Sequence, residues 1–536
     1  MGERTERTSW AWWQSGVIYQ VYPRSFQDSG ADGIGDLPGI EARLPYLASL
    51  GIDAVWLSPF YPSPMADFGY DVSNYCDVDP IFGTLDDFDS LLERIHHHGL
   101  KLIIDFVPNH TSDQHPWFVE SRSSRNSPKR DWYIWHDPAA DDGPPTNWMS
   151  QFGGSAWTFD EATDQYYMHS FLAAQPDLNW RNPEVQVAML DAMHFWLDRG
   201  VDGFRLDAIW AMIKDDQFRD NPPNTGWRPG MPFWDAQKFE FSQYRPEVHD
   251  ILRKMRMVTD EYPDTVLIGE IYASFKEQAR YFGGDLDECQ LPFNFALVMT
   301  PWNAQKIAGA MLEYESVLPF GGWPNWVLGN HDQSRIASRI GPAQARVAAM
   351  LLLTLRGTPT VYYGDELGLE DGEIPPDRRV DPAGRDHAKR GRDPESVPMP
   401  WDATRGHGFT DGEPWLPFSD QAMTLNVAAE CDDPDSMLSL QRALLTLRRA
   451  EPALAVGGYG RIWSEGDVLA YERVDGDDVP RLLIALNLSA RPASLALEER
   501  TAGAVVLGTH RSRAGAPVAN RLSLAADEGV VILLDD

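Results

Sequence analysis

The chain has 536 residues, 43% of them hydrophobic and 11% aromatic, which is more than one ordinary domain and enough to fill a large core. Its 46 basic and 80 acidic residues give a net charge of −34, a field that repels nucleic acid and anionic membrane and suits a neutral small-molecule substrate. So acidic a balance reads either as adaptation to salt or as ordinary solubility.

The N-terminal Met-Gly-Glu-Arg-Thr-Glu-Arg-Thr-Ser-Trp carries charge but no apolar h-region, and no later stretch approaches the roughly 18 apolar residues of a membrane span, so a cytoplasmic protein is expected. Short β-rich runs follow at Val17–Tyr22, Ala54–Leu57 and Leu102–Val107. Residues 109–179, rich in Trp, Asp, Pro and Gly, are too many for an ordinary βα loop and read as a subdomain inserted over a barrel mouth. The β-rich runs resume at Gly203–Asp207, Val266–Glu270, Phe293–Leu297, Trp326–Asn330 and Thr360–Tyr363. Helical spacing lies between them at Phe88–His97, Val185–Leu197, Pro246–Val258 and Ala343–Leu355. This alternation predicts an α/β fold, a (β/α)8 TIM barrel made of residues 1–108 and 180–455. Asp365–Phe418, crowded with Pro, Gly, Asp and Arg, reads as a functional rim loop. Beyond about Ala455, alternating runs at Val468–Arg473, Leu482–Leu486 and Val530–Leu534 predict a C-terminal antiparallel β-sandwich domain over 456–536. Cys76, Cys289 and Cys431 lack any paired spacing, which argues against a disulfide framework or a zinc site and predicts buried structural thiols.

Three acidic residues each close one of the apolar runs: Asp207 in Gly-Phe-Arg-Leu-Asp, Glu270 in Leu-Ile-Gly-Glu and Asp332 in Gly-Asn-His-Asp. Catalytic groups of a β/α barrel sit at strand C-termini; any one such Asp reads more readily as the cap of the next helix, but three strand ends together weaken that explanation. Arg205 and Asp207 are two apart on one strand, so they share a face and the guanidinium can hold the carboxylate ionised, as a nucleophile requires. Glu270, half-buried near other carboxylates, would keep a proton and act as a general acid. Two carboxyl groups acting on a glycosidic bond need this division of roles. Asp332, beside His331, would add a third charge able to stabilise an oxocarbenium-like transition state.

The short motifs Asp105-Phe-Val-Pro-Asn-His110, Gly203-Phe-Arg-Leu-Asp207, Gly269-Glu270 and Asn330-His331-Asp332 occur in this order, with Gln175-Pro-Asp-Leu-Asn179, Gly69-Tyr70-Asp71 and the opening Val17-Ile-Tyr-Gln-Val-Tyr-Pro-Arg-Ser-Phe26. In these the chain resembles the α-amylase family of glycoside hydrolases, in its α-glucosidase and oligo-1,6-glucosidase branch. The resemblance implies Asp207 as nucleophile, Glu270 as acid and then base, and Asp332 as stabiliser. It implies Asp71, His110, Arg205 and His331 as holders of a terminal glucose, with Tyr70, Phe152 and Phe171 as apolar platforms for sugar faces. The activity implied is retaining, exo-acting α-glucosidase action on maltose-like substrates with transglucosylation. A sucrose isomerase, a sucrose-splitting enzyme or a trehalose synthase would share the same triad. No catalytic cofactor is implied, and the chain would be a monomer or homodimer.

The loop Asp28-Ser-Gly-Ala-Asp32-Gly-Ile34-Gly-Asp36 spaces carboxylates around glycines as a hard-cation loop does. The family carries a structural Ca²⁺ or Mg²⁺ there, so Asp28, Asp32, Ile34 and Asp36 are the candidate ligands, with Gly30 where relatives usually have Asn. Two further departures bear on substrate. Ala208 follows the nucleophile where α-1,6-cleaving relatives tend to have Val, which leans toward α-1,4 bonds. Ser396 stands where relatives usually have Arg, leaving Arg392 or Arg390 as nearby substitutes.

Overall fold

A computed structural model describes residues 10–229, 231, 236–382, 384, 391–476, 481–498 and 501–535. Eight parallel strands form the central sheet: β1 (Ile18–Val21), β2 (Ala54–Leu57), β3 (Lys101–Phe106), β4 (Gly203–Leu206), β5 (Val266–Ile271), β6 (Leu291–Asn294), β7 (Asn325–Val327) and β8 (Thr358–Tyr362). Their order is β7-β8-β1-β2-β3-β4-β5-β6, with β6 and β7 in contact across the seam, so the sheet is a nearly closed TIM barrel. The sixth run sits two residues earlier than Phe293–Leu297, because a helical turn, Ala296–Met299, takes over at its end. The predicted helices are present as Leu85–His97, Pro183–Leu197, Val248–Asp260 and Pro342–Thr354. The first begins at a Thr84 cap that accepts from the Asp87 N–H, and the second at an Asn182 cap.

Strand alternation sorts the side chains. Tyr19, Val55, Leu57, Leu102, Ile104, Phe204 and Leu267 point outward to the helices in one continuous core. Ile18, Ala54, Trp56, Ile103, Val266, Ile268, Leu291 and Phe293 fill the inside of the barrel. One step up the same inward faces the filling turns polar: Gln20, Asp105 and Arg205 are fully buried there. This polar rung is the floor of the site.

Between β3 and β4, Gln165–Met168 pairs antiparallel with Trp157–Asp160 on one side and Trp135–His136 on the other. This small sheet has its own core of Trp148, Ala156, Trp157 and Met168, against which Phe218 and Phe241 also pack. Those two come from the long β4 connection after Asp207, a second excursion over the mouth that the sequence pattern did not reveal. Lys214, also from it, is buried with Nζ 2.5 Å from Asp177 and 3.0 Å from Asn109 Oδ1, tying the excursion to the inserted segment.

The C-terminal strands make one eight-stranded antiparallel sheet. Leu469, Tyr471, Ile484 and Leu486 extend the main core, while Val468, Ala470, Leu483, Ala485 and Ile532 build a separate one. Both faces of Val468–Val474, Leu482–Asn487 and Gly529–Leu534 are covered, whereas Arg521–Leu524 alternates between exposed and buried positions. Only Cys289 is a buried thiol; Cys76 is half-buried and Cys431 exposed, and all three are free. Among the described residues no helix is long and apolar enough to cross a membrane.

The charge of −34 opposes the compact state by self-repulsion, which salt screens within about 8–10 Å at physiological strength. Melting measured in 0.05 and 0.5 M NaCl should show Tm higher by a few degrees in the higher salt. An unchanged or lower value would mean that the acidic surface costs the fold nothing.

Candidate active site

Asp207 follows directly on β4 and Glu270 lies near the end of β5. The last paired positions of these strands are Leu206 and Gly269, so Asp207 and Glu270 are neighbours one step further up. Asp332 comes five residues after β7, in a turn where Asn330 Oδ1 accepts its N–H at 3.0 Å. The structure thus brings the three acids to one end of the barrel, with Asp332 delivered by a loop rather than by the strand itself.

Arg205 organises the floor. Nη1 lies 2.8 Å from Asp105 and 2.7 Å from Asp207, and Nη2 lies 3.0 Å from Glu270. One guanidinium therefore serves three carboxylates in a fully buried setting. Burial pushes Asp207 up to about 7 and Glu270 up to about 8, with Arg205 opposing in both cases. Neighbouring carboxylates raise both further, Asp105 and Asp332 acting on Asp207, and Asp207 and Asp332 on Glu270, which lies the higher of the two. The Ala208 N–H donates to Glu270 Oε2 at 2.9 Å. Gly269 makes this seat possible: a Cβ there would come within 2.6 Å of Ile209 Cδ1 and 2.7 Å of Cys289 Sγ, which pack beside the acid.

His331 is fixed by its neighbours. Gln20 Nε2 donates to Nδ1 at 2.8 Å, which places the ring proton on Nε2, facing Tyr70 Oη at 2.7 Å and Asp332 at 3.2 Å. Tyr70 donates in turn to Asp105 at 3.0 Å and stacks on the imidazole. Burial lowers His331 to about 4, so the ring is neutral. Burial would raise Asp332, but His331, Arg392 and Arg205 outweigh it and hold the carboxyl below its usual range.

His110 is buried and likewise lowered to about 4 by burial, with Nε2 3.1 Å from the Tyr70 carbonyl. Phe171 packs 5.1 Å from its ring and 6.2 Å from those of Phe152 and Trp210. Phe152 lies under the Arg392 guanidinium at 5.6 Å. These predicted residues form one wall.

Asp71 does not join them. Its carboxylate is turned into its own loop, accepting from Ser63 Oγ and from the Ala66 and Asp67 N–H groups at 2.9 Å each. Asp67, four residues earlier, faces Arg392 instead. It is 4% exposed, pairs with Arg392 and accepts from Gln175 Nε2 at 3.0 Å. Arg392 also reaches Asp332 at 3.3 Å and Asp381 at 2.8 Å, and with Asp67, Tyr70, His331 and the small Ser396 it lines a small cavity beside the acids. Arg390 lies outside the described residues. Asp105 was legible as a fourth acid near the end of an apolar run; Asp67 and Asp381 sit in irregular loops with no such signal.

The candidate metal loop is closed on itself. Asp28 Oδ1 accepts from the Gly30 and Ala31 N–H groups, and Oδ2 from Gly33 N–H and the Thr410 hydroxyl. Those four bonds fill the carboxylate's lone-pair sites. Asp36 caps the helix starting at Leu37 and holds Ser29, and Asp32 accepts from the Ile34 N–H. Among the described residues no three His, Cys, Asp or Glu side chains converge as a metal cage. As arranged, Asp28, Asp32, Ile34 and Asp36 do not fit a cation, because hydrogen bonds occupy both oxygens of Asp28 and both of Asp36 and no three carboxylates converge. Addition of a chelator should therefore leave Tm unchanged, whereas Asp28→Ala, which removes the acceptor of three backbone N–H groups and strands the buried one of Gly33, should lower stability by about 1–3 kcal/mol. A chelator-sensitive Tm would restore the metal.

The sequence profile described as "Alpha amylase, catalytic domain" matches residues 20–457. The chain is 44% identical over 503 residues to a "Probable alpha-glucosidase" of Rhizobium meliloti (strain 1021), covering 90% of each chain. It is 38% identical over 520 residues to an "Oligo-1,6-glucosidase" of Parageobacillus thermoglucosidasius, covering 90% of this chain and 91% of that one. Among solved structures, the "alpha-glucosyl transfer enzyme, XgtA" superposes with a TM-score of 0.93 at 42% identity, over 98% of this chain and 100% of that one. The trehalulose synthase MutB of Pseudomonas mesoacidophila superposes with a TM-score of 0.90 at 33% identity, over 98% and 100%. With the barrel and the acids at its mouth, these matches show that the chain belongs to the α-amylase family of glycoside hydrolases, in its α-glucosidase and oligo-1,6-glucosidase branch.

Proposed function

We propose that the protein is a retaining, exo-acting α-glucosidase. It removes terminal non-reducing α-glucosyl residues from short oligosaccharides, prefers α-1,4 to α-1,6 bonds, and passes glucose to hydroxyl acceptors when these are plentiful. The observation that carries the reading is the placement of Asp207 and Glu270 as neighbours on adjacent strands over one guanidinium. Adjacent strands lie about 4.8 Å apart, the scale of the roughly 5–5.5 Å carboxyl separation of retaining enzymes.

In this mechanism Asp207 attacks the anomeric carbon while Glu270 gives its proton to the departing glycosidic oxygen. The C–O bond breaks and a β-glucosyl ester on Asp207 forms. Glu270, now ionised, takes a proton from water or an acceptor hydroxyl, whose oxygen displaces Asp207 and restores the α configuration. Asp332 meets the charge that develops on the sugar ring. His110, His331, Arg205 and Tyr70 line the glucose pocket, and Asp67 and Arg392 close its far end, which supports exo action. Phe152 and Phe171 offer apolar faces. In the proposed division the barrel (1–108 and 180–455) supplies the acids, the insertion (109–179) the wall and the C-terminal domain (456–536) support.

The transglucosylase reading rests on the XgtA and MutB likenesses, because those titles name glucosyl transfer and trehalulose synthesis. Incubation with maltose, isomaltose, sucrose and trehalose, with products followed by NMR, separates the two. Faster hydrolysis of maltose than isomaltose with α-glucose released first supports the proposal. β-Glucose as first product would overturn the retaining step, and isomer formation without free glucose would replace hydrolysis by transfer.

A further inference from the structure

The Asp67–Arg392 pair, which lines a small cavity with Tyr70, His331 and Ser396, is brought together from two loops outside the strands of the barrel. Each loop is held by a separate buried carboxylate. On the Asp67 side, the turn 63–68 carries two non-glycine residues in the left-handed region, Met65 at φ 62° and Phe68 at φ 47°. Such conformations persist only where the surroundings enforce them. Asp71, 0% exposed, supplies that force by accepting from Ser63 Oγ, Ala66 N–H and Asp67 N–H. On the other side, Asp381, 1% exposed, accepts the Arg392 backbone N–H at 2.6 Å and its guanidinium at 2.8 and 3.2 Å. It therefore grips both the chain and the head of the arginine. Asp393 completes the base by accepting the Val380 and Asp381 N–H groups at 2.9 and 3.1 Å.

We propose that Asp71 and Asp381 are positioning residues that aim the Asp67–Arg392 pair at the terminal sugar and so set its recognition. Resting on the α-glucosidase reading, this goes beyond it by assigning specificity to two carboxylates whose hydrogen bonds are spent on the loops. An asparagine at either position keeps the shape but offers one acceptor oxygen where the loop uses two, so the pair would lose its aim while Asp207 and Glu270 keep theirs. In an exo enzyme the closed end faces the 4-hydroxyl of the terminal glucose, where a longer chain would continue.

The test uses p-nitrophenyl α-glucoside and its 4-deoxy analogue with the wild type, Asp71→Asn and Asp381→Asn. Each variant should raise KM for the glucoside roughly 10-fold, the loss of about one well-aimed charged hydrogen bond, with kcat within about 3-fold of wild type. The preference for the 4-hydroxylated sugar should shrink by a similar factor in both, which a general loosening of the fold does not produce. Ser63→Ala, which removes one of the donors on Asp71, should show the same pattern more weakly and serves if Asp71→Asn does not fold. Unchanged KM and undiminished 4-hydroxyl preference in the folded variants would overturn the proposal. Glucose binding, read by tryptophan fluorescence, needs no turnover. A wild type that binds glucose without hydrolysing glucosides would refute the enzymatic reading, while weakened glucose binding in the variants would still support the positioning role.

Discussion

Asp207→Asn should lower turnover of maltose and of aryl α-glucosides by at least about 10⁴-fold, while glucose binding changes only a few-fold. The amide has nearly the shape of the acid and its oxygen can still accept from Arg205, 2.7 Å away in the native site. It cannot carry the negative charge that attacks the anomeric carbon. Arg205 would remain paired with the Asp105 carboxylate at 2.8 Å, so no buried cation is left bare. Rates with maltose and p-nitrophenyl α-glucoside, together with the mass of the acid-quenched protein, check this: the wild type should gain the mass of one glucosyl group and the variant none. An unimpaired rate would mean that the nucleophile is another residue. The substitution also removes a charge that raises the Glu270 pKa, so the acid in the variant should titrate lower than in the wild type.

Glu270→Gln should cost about 10²–10⁴-fold with maltose, the usual worth of a general acid, and much less in the first step with a nitrophenol leaving group that departs unprotonated. The pH dependence gives a second reading. Asp207 must be ionised and rises to about 7; Glu270 must be protonated and rises to about 8. In the wild type kcat/KM should thus fall as pH drops through the lower value and as it climbs through the higher, with a narrow optimum between. In Glu270→Gln the fall on the basic side should disappear, since glutamine has no proton to lose. A basic limb that survives the substitution would assign it to another group. Asp332, held ionised by His331, Arg392 and Arg205, should add no limb in this range.

The barrel was legible because its strands are short apolar runs between amphipathic helices, and both patterns come from burial that every such element shares. The acids at Asp207 and Glu270 were legible for the same reason: each interrupts an apolar run where the strand leaves the core. Asp332 was legible as a motif, although it stands on a turn beyond β7. Asp71 marks where this reasoning stopped. In sequence it looks like the polar residue of a loop that serves the site, and its neighbour four positions earlier looks no different. The direction of a loop carboxylate depends on φ values at Met65 and Phe68, and residue type does not determine these. The loop from Asp28 to Asp36 carries the same ambiguity. Carboxylates spaced around glycines suit a cation and suit a turn closed by backbone N–H groups equally well, and the Thr410 hydroxyl that completes Asp28 comes from 382 positions away.

By itself the sequence determined the alternation of strand and helix, the shared strand face of Arg205 and Asp207, and the residue types from which acid and nucleophile can be made. Those follow from local periodicity and from the cost of placing charge in a core. Only the tertiary structure decided that Arg205 serves three carboxylates at once and that Asp67 rather than Asp71 faces Arg392. These outcomes depend on distances of about 3 Å between residues tens to hundreds of positions apart, and electrostatic energy in a buried site changes steeply over such distances.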